Sequence, residues 1–231
     1  MYPNVQAYDR GVMFNPDGRL FQVEYAKEAV RKGATSIGMT GKDSVVFVAH
    51  KVVTEPLAIQ STVHKVFKID SNMGATYSGL VADGLHLIDR ARITALNHRL
   101  VYDDDKSVES LTEEIASYMM QATQYGGLRP YAVSLLVGGI DNGPKLYEIE
   151  PGASILGYKA EAIGSGKKVA TEILVKEYKD NMRVEEMIAL GAKIIKKVSE
   201  GKVPQESMEV GYIKESEGYR VVTPEEVAKY L

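Results

Sequence analysis

The stretch that decides the fold is residues 8–26, which read YDRGVMFNPDGRLFQVEYA. Within it, Pro16 presets φ for the second position of a tight turn, and the Asp17 side chain can bond its own backbone. Gly18 tolerates positive φ. We therefore predict that the chain turns back on itself over residues 15–18.

A helix is predicted over residues 19–32. Arg31 and Lys32 suit the negative end of a helix dipole, and Gly33 is the usual residue just past a helix end. The apolar residues of this helix cover an unusually wide arc. Such an arc is typical either of a helix that also contacts a second copy or partner chain or of one amphipathic helix sunk deeply in its own chain, and the pattern does not separate the two.

Composition indicates one domain over residues 1–231. The chain has 231 residues, 45% of them hydrophobic, which is enough for one large core.

Charge and composition also exclude several classes of partner and site. A net charge of -3 gives no basic field, so no nucleic acid partner is expected. The absence of cysteine excludes disulfides, zinc–thiolate sites and thiol catalysis. The polar first residues and the lack of a membrane-spanning apolar run predict a cytoplasmic protein with no membrane partner.

After Gly33 the hydrophobic period changes from helical to strand-like. Strands are predicted over residues 35–40, 45–49, 66–69, 75–80, 132–138, 145–149, 155–163, 210–214 and 219–222. The first two form a hairpin, and at least one of them is expected to be buried on both faces. Helices are predicted over residues 81–100, from a capping box at Ser110–Glu113 to Gly126, over 166–180, over 184–199, and after Thr223 with Pro224 in its first turn.

Strands in blocks with helices in pairs do not match the alternation of a parallel doubly wound sheet. The order instead predicts an α+β fold in which two stacked antiparallel sheets lie between helix layers. Such an arrangement is a four-layer αββα sandwich.

The run over residues 8–26, followed by GATSIG at 33–38, resembles the N-terminal signature of proteasome core α subunits, the archaeal kind in particular. The similarity continues through SGLVAD at 78–83, QYGGLRPY at 124–131 and AIGSG at 162–166. It covers nearly the whole chain and implies the same αββα sandwich, which is the fold of the N-terminal nucleophile hydrolases.

The resemblance implies a protein with no catalytic residues. In the catalytic β subunits of this family, a threonine at the start of the first strand is the nucleophile and its own amine is the base. Alignment on Gly38 puts that position at Ala34, which has no hydroxyl, and Thr35 is one residue too far along. Lys65 and Ser165 match the family's lysine and serine, but its acid falls at residues 49–51 and finds no carboxylate. The family's Asp and Ser after the fourth helix find no match near residues 204–207.

For such a protein the resemblance implies a ring and a gate. Seven α subunits would form an outer ring, stack on the β subunits and control the entry of unfolded protein substrates. Residues 1–12 would be the gate segment, held open by a gate cluster of Tyr8, Asp9, Pro16 and Tyr25. The alternative from another class is a hydrolase that uses an unrecognised nucleophile.

Two further sites follow from the resemblance. Tyr125, Gly126 and Gly127 would form the pore loop that lines the entry channel. Lys65, Gly79 and Leu80 would form a pocket, here called the tail pocket, for the C-terminal tails of ATPase activators. The simpler interpretation of Lys65 is a solvated surface lysine.

The remaining motifs favour structural roles. GSGKK at residues 164–168 echoes a phosphate loop, but Glu161 stands where the first glycine should be, so a strand-to-helix turn is predicted. His50, His64, His86 and His98 show no paired metal spacing. The acidic run at residues 103–105 lacks the glycine and final glutamate of a calcium loop. No metal and no cofactor are expected.

Overall fold

The computed structural model describes residues 13–199 and 204–230, which form ten strands and six helices. The strands are β1 (Ser36–Thr40), β2 (Ser44–His50), β3 (Val66–Asp70), β4 (Met73–Gly79), β5 (Val133–Ile140), β6 (Pro144–Ile149), β7 (Ile155–Gly157), β8 (Ala160–Ile163), β9 (Met208–Lys214) and β10 (Gly218–Val222). The helices are α1 (Phe21–Lys32), α2 (Val81–Tyr102), α3 (Val108–Gln124), α4 (Lys167–Glu177), α5 (Val184–Val198) and α6 (Pro224–Val227).

The strands form two five-stranded sheets. The first has the order β10-β9-β2-β1-β8 and the second the order β3-β4-β5-β6-β7. Every pairing in both sheets is antiparallel. The α+β prediction of two antiparallel sheets is confirmed.

Three clusters of buried side chains define the layers. One lies between the two sheets and includes Phe47, Leu136 and Ile213. A second joins the outer face of the first sheet to α4 and α5, and a third joins the outer face of the second sheet to α2 and α3. This arrangement is the predicted αββα sandwich. No helix in the described ranges is long and apolar enough to cross a membrane.

Strand β2 is central to the first sheet and buried on both faces, as predicted. Phe47 belongs to the cluster between the sheets, whereas Val46 and Val48 contact the helix side. The strand pairs with β1 in a register that puts Ser36 opposite Ala49. The hairpin predicted from the change of hydrophobic period is therefore present.

The single strand predicted over residues 155–163 is wrong. Strand β7 pairs with β6 in the second sheet, and β8 pairs with β1 in the first. The chain changes sheet between them: the Tyr158 N–H donates to the Leu146 carbonyl at 2.8 Å, and the Lys159 carbonyl accepts from the Thr40 N–H at 2.8 Å. The adjacent residues Tyr158 and Lys159 thus bond to different sheets. The run that was predicted as one strand therefore contributes one short strand to each sheet.

The capping box predicted at Ser110–Glu113 is also wrong, because α3 begins earlier. Ser107 is the N-cap residue, and its hydroxyl accepts a hydrogen bond from the Ser110 N–H at 3.2 Å. Val108 is fully buried, so the apolar stripe of α3 begins in its first turn, which packs in the core. The box at Thr223 and Glu226 before α6 is confirmed.

Helix α1 begins at Phe21 and packs against the end of β4. Only Ala26 and Val30 of this helix are buried within the chain, so the deeply sunk alternative is wrong. The Ser78 hydroxyl donates to the Val30 carbonyl at 3.3 Å. A Cβ on Gly33 would lie 2.3 Å from the Ser78 hydroxyl oxygen, so this close approach requires glycine.

The turn that precedes α1 is confirmed. The Gly18 N–H donates to the Asn15 carbonyl at 2.9 Å, and Gly18 has a φ of 75°. The Asn15 side chain closes the turn further, since its Oδ1 accepts from the Arg19 N–H at 2.7 Å.

Candidate functional site

The segment that leads into β1 contains Ala34, which the sequence resemblance predicted to stand in place of a nucleophile. Ala34 is half-buried and has no hydroxyl, and Thr35 is buried. The Thr35 hydroxyl accepts a hydrogen bond from the Gly166 N–H at 2.9 Å, and its carbonyl accepts from the His50 N–H at 2.9 Å. The two hydrogen bonds of Thr35 thus hold the start of β1 against the turn before α4 and against the end of β2.

Lys65 lies in the interior, with 7% of its surface exposed. Its ammonium donates to the Tyr77 carbonyl at 2.6 Å and lies 4.2 Å from the centre of the Tyr77 ring. Ser36 donates to the same carbonyl at 3.1 Å. The interpretation of Lys65 as a solvated surface lysine is therefore wrong.

Burial lowers the pKa of Lys65 to about 8, although the Glu209 carboxylate acts in the opposite direction. The pKa of His50, at the end of β2, is lowered by burial and by the charge of Lys65. This end of the two sheets therefore contains an ammonium that can lose its proton near neutral pH.

Glu209 is the residue of this region that the sequence did not predict. Its carboxylate accepts from the backbone N–H of Lys65 at 2.5 Å and of Val66 at 3.1 Å, and it pairs with His64 Nδ1 at 2.9 Å. It therefore anchors the start of β3 to β9. The available signal was a charged residue between Met208 and Val210, inside an apolar strand.

The three residues of the predicted tail pocket come together at the end of β4. Lys65 bonds the carbonyl of Tyr77, two residues before Gly79. Gly79 has a φ of 122°, and a Cβ there would lie 2.2 Å from the Ala132 carbonyl oxygen. Leu80 is 45% exposed, and its N–H donates to the same carbonyl at 2.8 Å.

The predicted pore loop projects from the end of α3. Tyr125 is 62% exposed, and a Cβ on Gly126 or Gly127 would meet no atom within 4 Å. Gly127 has a φ of 86°, which favours glycine. After the loop, Arg129 forms a bidentate pair with Asp83 in the first turn of α2, at 2.6 and 2.8 Å.

Asp83 is a second residue of the site region that the sequence did not predict. It is 6% exposed. Burial acts to raise its pKa, but hydrogen bonds from Arg129 and from the Ala132 N–H hold the pKa below its usual value. Asp83 therefore stays ionised.

The predicted gate cluster is only partly described. Pro16 is exposed in the turn before α1, and Tyr25 is half exposed with its ring stacked on Phe21 at 6.3 Å between centres. Tyr8 and Asp9, with the rest of the predicted gate segment 1–12, lie outside the described residues.

The turn at residues 164–168 has the predicted form. Gly164 has a φ of 96°, and a Cβ there would lie 2.8 Å from the carbonyl oxygens of both Gly33 and Ala34. Ser165 is exposed, and its N–H donates to the Gly33 carbonyl at 2.9 Å. The turn therefore locks the start of α4 to the start of β1.

Lys167, in the same turn, is bound to two buried carboxylates, at 3.1 Å from Glu148 and 3.4 Å from Glu161. Burial raises the pKa of Glu148 despite the nearby ammonium. A cavity of about 480 Å³ lies beside this group, between α1 and the turn. The two carboxylates already balance the charge of Lys167 and would repel a phosphate, so a phosphate loop is disfavoured. Among the described residues no group of three or more His, Asp or Glu could hold a metal ion.

Comparison with known proteins places the chain in one family. Residues 30–213 match the family described as proteasome subunit, and residues 8–29 match the N-terminal signature of the A-type proteasome subunits. The chain is 46% identical over 226 residues to the proteasome subunit alpha of Archaeoglobus fulgidus, covering 97% of this chain and 92% of the relative. It is 42% identical over 233 residues to that of Picrophilus torridus, covering both chains in full.

A third relative, the proteasome subunit alpha of Methanosarcina acetivorans, is 42% identical over 227 residues, covering 97% of this chain and 92% of the relative. The matched N-terminal signature contains the turn and most of α1, and the longer match runs from the end of α1 into β9, so that only β10 of the ten strands lies wholly outside it. The chain therefore belongs to the proteasome subunit family and carries the family's α-type N-terminal signature.

Proposed function

We propose that this chain is a non-catalytic α-ring subunit of the proteasome core, a threonine protease complex. It would form the outer heptameric ring with other α subunits, stack on β subunits, gate the entry of unfolded proteins and dock ATPase activators in the cytoplasm. The observation that carries this proposal is the α-type signature at residues 8–29, which leads into a first strand preceded by Ala34.

The chemistry at the start of β1 supports a non-catalytic role. A nucleophilic hydroxyl needs a base within hydrogen-bond distance to take its proton. Thr35 instead uses its hydroxyl to hold Gly166, and Ser36 and Lys65 both donate to the Tyr77 carbonyl rather than to each other. A hydrolase with another nucleophile is the less favoured function.

Helix α1 supports assembly with neighbouring copies. Phe21 and Val23 are only partly buried within the chain, and Tyr25 is half exposed, so apolar surface remains on the wide arc. In a ring this surface would be covered by an adjacent copy, since ring closure uses two different faces of each protomer. The same helix would carry Tyr25 of the gate cluster toward Tyr8, Asp9 and Pro16.

Gating would use the gate segment and the pore loop. The exposed Tyr125 and the two unhindered glycines support a loop that approaches its copies closely around a central axis. Residues 1–12 would then close the channel that this loop lines.

Activator docking would use the tail pocket. The Lys65 ammonium is almost excluded from water, and it donates its hydrogen bond to a neutral carbonyl. A tail carboxylate would supply the opposite charge where water screens it little. An ammonium is a point charge and suits a single carboxylate.

The experiment that tests the proposal is joint purification of this chain with its β partner, followed by electron microscopy and intact-mass measurement. We expect seven-fold rings of this chain stacked on β rings, and a mature mass that retains the residues before Thr35. A chain processed to start at Thr35 would instead support an autoprocessed hydrolase.

A further inference from the structure

The start of α2 is tied to the segment that follows the pore loop. The Leu80 N–H donates to the Ala132 carbonyl at 2.8 Å, and the Ala132 N–H donates to Asp83 Oδ2 at 2.8 Å. Both the N–H and the carbonyl of Ala132 are therefore hydrogen-bonded to residues at the start of α2.

The contact at Gly79 leaves no free space between these segments. A Cβ there would lie 2.2 Å from the Ala132 carbonyl oxygen and 2.9 Å from the Val133 Cα. Because packed backbone of this kind moves together, a displacement of Gly79 and Leu80 would also displace Ala132.

The carboxylate of Asp83 also holds Arg129, the second residue after the pore loop. The two guanidinium nitrogens lie 2.6 and 2.8 Å from the two carboxylate oxygens, which is the bidentate geometry that fixes orientation as well as distance. The same guanidinium donates to the Pro130 carbonyl at 3.1 Å. One buried side chain thus sets the positions of both Arg129 and Ala132.

In the described part of the chain, the hydrogen bond that closes the pore loop is a long one, between Tyr125 and Leu128, the residue just after the loop. The Leu128 N–H lies 3.4 Å from the Tyr125 carbonyl oxygen, at the long end of hydrogen-bond distances. Tyr125 and Leu128 are both more than half exposed. The position of the loop therefore depends strongly on its two ends, the last turn of α3 and Arg129.

We infer that Asp83 and Arg129 are a positioning pair that transmits a displacement of the Gly79–Leu80 backbone to the pore loop. The inference rests on the proposed function, since it requires that an activator tail displaces Gly79 and Leu80. The path runs from Leu80 to Ala132, from Ala132 to Asp83, and from Asp83 through Arg129 to the loop. Binding of a tail would then change the loop without any contact between the two.

A spin label at the loop tests this path in the assembled particle. The chain contains no cysteine, so Leu128→Cys provides a single attachment site on this protein. The probe is a synthetic peptide that ends in leucine, tyrosine and alanine with a free carboxylate, and its C-terminal amide is the control. Peptide binding and the mobility of the label are measured on the same particles.

We expect the peptide to change label mobility saturably in particles with the wild-type pair. Arg129→Lys keeps the charge but loses the bidentate geometry, so it should bind the peptide within about twofold of wild type while the mobility response is lost. Asp83→Asn keeps an oxygen that can accept from the Ala132 N–H but loses the charge that pairs with Arg129. It should likewise bind the peptide and lose the mobility response. The matched control is Arg99→Lys, which breaks an exposed arginine pair with Asp70 and Asp105 near the other end of α2 and should respond as wild type does.

A full mobility response in Arg129→Lys and Asp83→Asn particles would overturn the inference and leave the tail pocket intact. Loss of peptide binding in these variants would overturn it as well, because the pair would then hold the pocket and not transmit from it. No peptide binding to wild-type particles would overturn the proposed tail pocket itself, and the inference would fall with it.

Discussion

The ammonium of Lys65 donates a hydrogen bond to the backbone carbonyl of Tyr77 at 2.6 Å, and both residues are buried. The carbonyl is polar but uncharged. Within the described part of the chain, this buried positive charge is thus satisfied by a neutral acceptor, and its pKa falls to about 8 because of burial. The first two predictions follow from this relationship.

The first prediction concerns activator docking. Lys65→Ala should weaken binding of a free-carboxylate tail to the assembled particle by about 5- to 150-fold, the range for a charge-assisted pair of about 1 to 3 kcal/mol. Lys65→Arg should be milder, and added salt should weaken wild-type binding. Because the guanidinium keeps its charge, binding should decline above about pH 8 in wild type but not in Lys65→Arg.

Lys68→Ala is the control for this prediction, since Lys68 is an exposed lysine on β3, close to Lys65 in the chain. Fluorescence anisotropy of a labelled tail gives the affinities. Equal tail affinity for wild type and Lys65→Ala would show that Lys65 does not belong to the pocket.

The second prediction concerns stability and pH. The folded-state pKa of Lys65 is about 8, below the value of about 10.5 expected for the unfolded chain. The folded state therefore disfavours the proton, and this penalty, on the order of 3 kcal/mol, is complete below pH 8 and disappears as the pH rises to about 10.5. The unfolding free energy of wild type relative to Lys65→Met should rise across that window.

Urea unfolding of the two proteins at several pH values and one protein concentration measures this difference. Other groups that titrate over the same range are common to both proteins. A difference that stays constant from about pH 8 to 10.5 would mean that Lys65 titrates as an ordinary lysine.

The third prediction concerns Gly79. Gly79→Ala should lower the unfolding free energy by about 2 to 4 kcal/mol, because the position has a φ of 122° and its Cβ would overlap the Ala132 carbonyl oxygen. Gly126→Ala is the matched control, since a Cβ there meets nothing within 4 Å, and it should change the unfolding free energy by less than about 1 kcal/mol. Similar unfolding midpoints for the two variants would contradict this account of the β4 end.

The fourth prediction concerns the gate segment. Removal of residues 1–12 should speed degradation of an unfolded protein such as casein by the assembled particle, because an open channel no longer excludes the chain. Hydrolysis of a short peptide should gain less, since a small substrate is less hindered. If casein is degraded at the same rate before and after the deletion, residues 1–12 do not close the channel.

Much of the fold follows from local sequence patterns. The turn at Gly18, the doubly buried β2 and the cap at Thr223 each depend on residues within a few positions, and each is confirmed. The break between β7 and β8 could not be predicted, because both halves favour strand and the difference lies in distant partners. Val108, by contrast, has the spacing of the α3 stripe, so the earlier start of that helix was available in the sequence.

The candidate site was less predictable than the fold. Lys65, Gly79 and Leu80 were found through family resemblance, and their proximity depends on the pairing of β3 with β4. Glu209 and Asp83 are buried carboxylates whose partners lie far along the chain, at Lys65 and Arg129. Only the tertiary structure brings such pairs together, so the one local signal, the charge of Glu209 inside an apolar strand, does not identify its partners.

The most direct test of the non-catalytic role is peptide hydrolysis by this chain alone and by the chain assembled with its β partner. We expect no hydrolysis above background by the isolated chain, strong hydrolysis by the assembled particle, and covalent labelling by a threonine-directed inhibitor on the β partner only. Ser165→Ala and Ser36→Ala should leave the assembled activity in place. Hydrolysis by the isolated chain that is lost in either serine variant, or inhibitor bound to this chain, would contradict the account.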